Sequence, residues 1–356
     1  MHSSWNRRHF LAMAGSVLKP VENGTTSFAG WPTLARRKNG ELLVVYSGSR
    51  DGHICPFGRV EMIRSSDEGE SWSSPQVIVD TPIDDRDAGI LETAKGTLLA
   101  TTFTSLVYQK QKLYSSARWQ AAEKAMTQQQ RESLLGCWML RSTNGGLTWS
   151  EPYPVPVNSP HGPIQLRDGR ILYPGKKLYA KDEAIGCAES KDDGKTWNWL
   201  AAIPTRPGDS VSEYHELHGV EAANGDIIVQ IRNHNPTHHY ETLQTVSKDG
   251  GKSWTVPASI GVWGYPSHLL RLNNGTLVMS YSHRRAPRGN QLRTSKDHGQ
   301  SWSQPILLSE DGSGDLGYPS SVELSHGDLL TLWYEVMRPG TPAILRTART
   351  ARGTLA

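Results

Sequence analysis

Short apolar runs follow turn-forming dipeptides again and again along the chain. NGELLVVY starts at Asn39, KGTLLATT at Lys95, DGRILYPG at Asp168, NGDIIVQI at Asn224, NGTLVMSY at Asn274 and HGDLLTLW at His326. Asn-Gly and Asp-Gly favour the tight turns that join neighbouring strands, so each copy reads as a hairpin turn leading into a buried strand. The copies recur about every fifty residues, except between the second and the third. A second pattern interleaves with them: SSDEGESW (65–72), STNGGLTW (142–149), SKDDGKTW (190–197), SKDGGKSW (247–254) and SKDHGQSW (295–302). Here an Asp or Asn side chain can accept backbone N–H groups within a turn, a Gly supplies positive φ, and a Trp packs beneath.

Short strands with turn signals at a long fixed period predict a β-propeller or solenoid. Each period reads as strand, hairpin, strand, strand, boxed turn, strand. The expected fold is therefore all-β, a six-bladed β-propeller over residues 23–350, with a short tail at 351–356. The sixth unit lacks the boxed turn, and an N-terminal strand is expected to help close the ring. The long gap has a visible cause. Residues 107–135 lack strand signals and are rich in Ala, Gln, Glu and Lys, which favour helix. They predict a helical insertion in the second blade, either a solvated decoration or a wall beside the central pocket.

Composition narrows the function. The chain has 356 residues and a formal net charge of +3, with acids and bases mixed, which argues against a nucleic-acid partner. Twelve Trp and twelve Tyr against four Phe suit surfaces that face sugars. Three cysteines, Cys55, Cys137 and Cys187, show neither disulfide nor metal spacing. No later stretch approaches the roughly eighteen apolar residues of a membrane span. The N-terminal NRRHFLAMAGSVL pairs Arg7 and Arg8 ahead of a short apolar run. It resembles a twin-arginine export signal, so residues 1–22 read as a leader and the protein as periplasmic or secreted, in a bacterium.

The boxed turns and six predicted blades resemble the sialidase superfamily, whose repeats carry this Asp-box pattern; the resemblance covers essentially everything after the leader. It implies an exo-glycosidase that removes a terminal sialic acid or related acidic sugar from glycans, with retention through a tyrosyl intermediate and no cofactor or metal. HELHGVEAANGDIIVQIRN resembles the stretch in which a glutamate opens the fourth blade and an arginine ends its second strand, which places Glu216 and Arg232. DLGYPSSVELSHGDLLTLWYE resembles the segment that supplies the nucleophilic tyrosine, which places Tyr318. Tyr265, in the similar GYPSH, is a second candidate or a pocket wall. Sialic acid carries a carboxylate on its anomeric carbon, and a neutral phenol escapes the repulsion an anionic nucleophile would meet there. The phenol then needs a base within hydrogen-bond reach, which Glu216 would be.

Other positions are less sharply placed. Arg50 resembles the arginine after the first hairpin. Asp51 is the favoured acid/base, with His53 and Asp87 as alternatives. Arg288 fits the fifth-blade arginine best, ahead of Arg284 and Arg285. His161, His215, His218 and His268 recur near blade entrances and suit sugar hydroxyls or proton transfer. One departure stands out. The family opens its first blade with Arg-Ile-Pro, and here Gly30 and Trp31 precede Pro32, so one arginine of the carboxylate clamp is missing. Arg86, flanked by Asp84, Asp85 and Asp87, is a candidate replacement. The open alternatives are a glycosidase for a different sugar, a uronate lyase using His and Tyr, and a glycan-binding propeller without catalysis.

Overall fold

The computed structural model describes residues 18–20, 27–110, 116–310 and 315–355. The paired arginines at 7 and 8 and most of the expected leader lie outside the described residues. The first strand, β1 (Leu18–Pro20), falls inside the 1–22 boundary drawn for the leader and pairs antiparallel with the last, β23 (Ala343–Thr350).

The chain is all-β apart from short helices. The first full sheet runs β2 (Phe28–Arg36), β3 (Leu42–Arg50), β4 (Arg59–Ser65), β5 (Gln76–Val79). The second runs β6 (Asp84–Glu92), β7 (Leu98–Ser105), β8 (Cys137–Ser142), β9 (Tyr153–Pro154), and the third β10 (Ile164–Gln165), β11 (Ile171–Lys176), β12 (Ile185–Ser190), β13 (Asn198–Ala202). A seven-stranded sheet follows: β14 (Tyr214–Glu221), β15 (Ile227–Asn233), β16 (Glu241–Ser247), β17 (Ala258–Arg271), β18 (Leu277–His283), β19 (Gly289–Ser295), β20 (Ile306–Leu307). The long β17 closes one group of four strands and opens the next, its first half pairing with β16 and its second with β18. The last sheet orders β21 (Leu316–Glu323), β22 (Leu329–Val336), β23, β1.

Each hairpin glycine of the six apolar repeats has positive φ, between 82° and 94°, where a Cβ is strained. The boxed turns lie between the third and fourth strands of their groups. In the first, Ser65 Oγ donates to Asp67 Oδ1 (2.7 Å), the Gly69 N–H donates to Ser65 Oγ (2.8 Å), and Ser71 gives its N–H (2.9 Å) and hydroxyl (2.5 Å) to the Asp67 carboxylate. The tryptophans that end the turns, Trp72, Trp149, Trp197, Trp254 and Trp302, pack against five different apolar clusters. A sixth cluster includes Leu355, so the C-terminal tail is partly core. Every one of these six clusters lies between two consecutive groups of strands.

Between β7 and β8 lie α1 (Ala117–Lys124) and α2 (Gln128–Glu132), in the stretch where helix was expected; residues 111–115 are outside the described residues. Trp119 of α1 packs with Tyr108, Cys55 and Ile83. The segment is therefore anchored to the loop after β3.

The box carboxylates make stability depend on acid. Hydrogen bonds from Ser71 and Ser65 pull Asp67 down to about 2. At Asp192 and Asp297 slight burial opposes, but hydroxyl and backbone donors prevail and bring both to about 2. An unfolded Asp titrates near 3.9. The contribution is thus complete above that value and is lost as pH falls from about 4 to about 2. Calorimetry over this range should show a falling Tm, shallower in Asp67→Asn; a Tm independent of pH there contradicts this account.

Candidate active site

The innermost strands β2, β6, β14 and β21 break register near their start, between Gly30 and Thr33, Arg86 and Gly89, Tyr214 and Leu217, and Gly317 and Ser320, and β17 breaks near its middle, between Gly264 and Ser267. A bulge re-aims a side chain out of the regular alternation. Trp31, Asp87 and Tyr318 sit in these breaks with φ of 52°, 49° and 56°. Left-handed backbone costs a non-glycine residue roughly 1–2 kcal/mol, strain of the kind that gathers at functional sites.

These residues, with Glu216, line a cavity of about 500 Å³ together with His53, Arg86, Phe103, Arg232, Tyr240, Tyr265, Arg284, Arg288, Asp315 and Tyr334. Its centre is a three-residue contact. The Tyr318 hydroxyl donates to Glu216 Oε1. Arg232 Nη1 donates to Glu216 Oε2 (2.6 Å) and approaches the Tyr318 oxygen (3.4 Å). Arg232 is held in turn by its Nε, which donates to His234 Nε2 (2.8 Å), and by the Tyr265 ring, 4.2 Å beneath its guanidinium. Tyr318 and Glu216 are 102 residues apart in the chain.

Charge follows from this packing. Burial, with the charges of Glu216 and Asp87, pushes the Tyr318 phenol well above its ordinary value. Burial would also raise Glu216, but the Arg232 charge and the Tyr318 hydrogen bond hold it below the usual carboxylate range. The pair at rest is therefore phenol plus carboxylate, the state in which Glu216 can take the phenolic proton. Asp87 is 7% exposed, and burial lifts its carboxyl to about 7. Its Oδ1, like Arg86 Nε, is buried without a hydrogen-bond partner.

Trp31, next to the Gly30 that stands where the resembled family has an arginine, is 1% exposed and lines the cavity. The Arg50 and Arg86 guanidinium carbons lie 4.6 and 4.4 Å from its ring centre. Arg86 lines the cavity and Arg50 does not. Arg50 is 2% exposed and bound to Asp84 through Nη1–Oδ1 (2.5 Å) and Nη2–Oδ2 (3.0 Å).

Asp51, His161, His215, His218 and His268, also expected near the site, do not line this cavity. The Asp51 carboxylate is taken by Arg118 Nη1 (2.9 Å) and Trp119 Nε1 (2.8 Å) of α1. His161 and His268 pack with His218 in a layer below Tyr318, with ring centres 4.6–5.5 Å apart. They line a different cavity. His218 Nδ1 accepts from the Leu269 N–H (2.9 Å) and His268 Nδ1 from the Ser321 N–H (3.4 Å). These histidines tie neighbouring innermost strands together. Asp315 and Tyr334 were not anticipated. Asp87 had a signal in the sequence, since Trp31, Asp87, Glu216 and Tyr318 each stand eight residues before the first residue of their hairpin dipeptide.

One cluster among the described residues has the makings of a metal site: Glu213, His215 and His234 bring potential ligand atoms within 4.8 Å of one another. The Nε2 lone pair of His234 is already occupied by Arg232 Nε–H. Arginine keeps that proton, so the neutral ring carries its own proton on Nδ1 and offers no free lone pair.

The repeats, the sheets and this cavity match known proteins. A family model for the BNR repeat-like domain matches residues 110–330, more than half of the chain. The chain belongs to the BNR repeat-like family. Within the wider sialidase and BNR-repeat superfamily, similar solved structures share its fold. A protein of unknown function from Dyadobacter fermentans aligns with TM-score 0.75 at 23% identity, over 94% of this chain and 99% of that one. A Hadza microbial sialidase, Hz136, aligns with TM-score 0.69 at 18% identity, over 92% of this chain and 67% of that one. An α-L-arabinanase from Penicillium chrysogenum complexed with arabinobiose aligns with TM-score 0.61 at 13% identity, over 94% and 96%. At these identities the likeness is one of fold. No curated protein matches the chain.

Asp87 yields a prediction of opposite sign to that of the box residues. Its carboxyl is raised when folded, so between about pH 4 and 7 the unfolded chain releases a proton that the folded chain keeps. Stability contributed at this site falls through that window and is level above it. Urea unfolding of Asp87→Asn against the parent should show an advantage for the variant that grows from pH 4 to 7; a constant difference contradicts the assignment.

Proposed function

We propose that the protein is a glycoside hydrolase of sialidase type on a six-bladed β-propeller spanning residues 23–350, with a helical insertion in its second blade. It removes a terminal acidic sugar, sialic acid or a relative, from glycans, with retention of configuration. The contact between Tyr318 and Glu216, with Arg232 bridging them, carries this reading. The Tyr318 oxygen attacks the anomeric carbon as its proton passes to Glu216, and the bond to the leaving oxygen breaks. Water then displaces the tyrosine, which recovers its proton from Glu216. Pairing with a base in this way answers the high resistance of the buried phenol to ionisation. Arg86, Arg284 and Arg288 stand beside the pair to receive the sugar's carboxylate by charge-assisted hydrogen bonds. Asp87, neutral at its buried floor position, donates a hydrogen bond to the bound sugar.

Two of the proteins that share the fold, a sialidase and an arabinanase, carry the names of glycan-cleaving enzymes, which supports a glycan substrate. No helix among the described residues is long and apolar enough to cross a membrane. Export through the N-terminal arginine pair belongs to the same reading. A second reading rests on the first blade, where Gly30 stands at the place of the clamp arginine and Trp31 lines the cavity. On it the sugar lacks an anomeric carboxylate, and Glu216 itself is the nucleophile.

Fluorogenic glycosides of acidic and neutral sugars separate the two. Release from acidic glycosides, with Tyr318→Phe reducing kcat/KM by about 10³-fold or more, is expected, on the scale of losing a nucleophile together with its base. Cleavage of neutral glycosides alone, or a fully active Tyr318→Phe, contradicts the proposal.

A further inference from the structure

The pair at the floor leaves one role unfilled, the donor that protonates the departing oxygen. An exo-acting enzyme holds the terminal sugar inward and its leaving group outward, so this donor belongs at the rim. Exposure sorts the titratable residues of the cavity. The Glu216 side chain is 14% exposed and Arg232 20%, whereas His53 is 46% and Asp315 34% exposed. Asp87, at 7%, is on the floor. Asp51 is tied to the helical segment.

His53 is the rim residue with an orienting partner. Its Nδ1 lies 3.3 Å from Asp315 Oδ2, and the other oxygen of Asp315 accepts from the Tyr334 hydroxyl (2.9 Å). Since a carboxylate only accepts, Nδ1 carries a proton toward Asp315, and Nε2 is the nitrogen left to exchange protons. The ring is steadied edge-on against Trp31, with centres 5.0 Å apart, and against Phe28 at 6.1 Å. Its backbone carbonyl accepts from Arg50 Nη2 (3.1 Å), so the buried Arg50–Asp84 pair fixes the loop that presents it.

We propose that His53, oriented by Asp315, is the general acid and base at the leaving-group oxygen; the assignment rests on the glycosidase reading above. In the first step the imidazolium gives its Nε2 proton to the leaving oxygen. That oxygen departs with the electron pair of its bond to the anomeric carbon while the Tyr318 oxygen forms the new one. In the second step neutral Nε2 takes a proton from water as the water oxygen bonds to the anomeric carbon. Tyr318 leaves with the electron pair and regains its proton from Glu216. The Asp315 carboxylate offsets the positive charge that His53 carries before the first step and again after the second. Asp315 is a positioning residue, since it acts through the imidazole.

The test uses the full chain and two glycosides of the same acidic sugar, one with an alkyl leaving group and one with a fluorinated coumarin that departs without protonation. His53→Gln should lose about 10²- to 10³-fold on the alkyl glycoside, the range typical of general acid catalysis. Its first turnover on the coumarin glycoside should change less than about tenfold, the leaving group no longer drawing on that catalysis. Later turnovers should be slow and rescued by azide, with a glycosyl azide as product. Asp315→Asn should shift the same ratio in the same direction by less. Asp51→Asn should leave it unchanged, and equal melting temperatures exclude misfolding. Equal losses on both glycosides, or no loss on either, overturn the role of His53. A parent protein inactive on every acidic glycoside overturns the sialidase-type reading and this assignment with it.

Discussion

The innermost strand of each group of four has one edge with no strand beside it, and unpaired backbone groups buried there would be costly. Side chains of the neighbouring group satisfy that edge. The Leu34 N–H donates to Ser320 Oγ (3.0 Å), and Thr33 Oγ1 donates to the Ala88 carbonyl (2.8 Å). Gly89 bridges to His161, and the Leu217 N–H donates to Ser159 Oγ (2.6 Å). The Leu269 and Ser321 N–H groups are taken by His218 and His268. The links pass through every group of strands and return to the first. They hold in place the bulges immediately upstream, and those bulges present Trp31, Asp87, Glu216 and Tyr318 to one cavity.

Within that cavity Glu216 and Arg232 are paired. Glu216 keeps its negative charge because Arg232 shares it, and Arg232 is positioned by His234 and the face of Tyr265. A buried carboxylate without such a partner would neutralise itself, as Asp87 does. The same packing lets one carboxyl remain a base and raises the other toward its protonated form. Trp31 adds a further constraint. It fills the floor with an apolar ring, and Arg86 lies over that ring. The guanidinium groups that line the cavity therefore come from the second, fourth and fifth groups of strands.

The repeats made the strand order legible because each turn has a local chemical requirement: positive φ at the hairpin glycine, an acceptor at the box aspartate, a flat apolar anchor at the tryptophan. Glu216, Arg232 and Tyr318 were legible for a different reason, since each sits in a long stretch resembling the family. Asp51 and Arg50 misled because their partners are remote in sequence. Nothing near residue 51 announces Arg118 and Trp119, and the bond from Arg50 to Asp84 crosses from one sheet to the next. The histidines at 161 and 268 were read as sugar contacts because they recur near blade entrances. The His268 ring instead accepts the Ser321 N–H of the next group, and the His161 ring meets Thr33 Oγ1 (3.2 Å). The offset of eight residues from each hairpin marks the bulge position, and counting it would have favoured Asp87 over Asp51 for the cavity.

On the proposed mechanism, an uncharged tyrosine on the last sheet becomes covalently attached to the sugar while a glutamate from another sheet holds its proton. A fluorinated acidic glycosyl fluoride slows breakdown of such an adduct more than its formation, so it accumulates. Peptide mapping by mass spectrometry after brief exposure should then find one sugar per chain, attached at Tyr318. An adduct on Glu216, or turnover of the reagent with no labelled residue, would contradict the account.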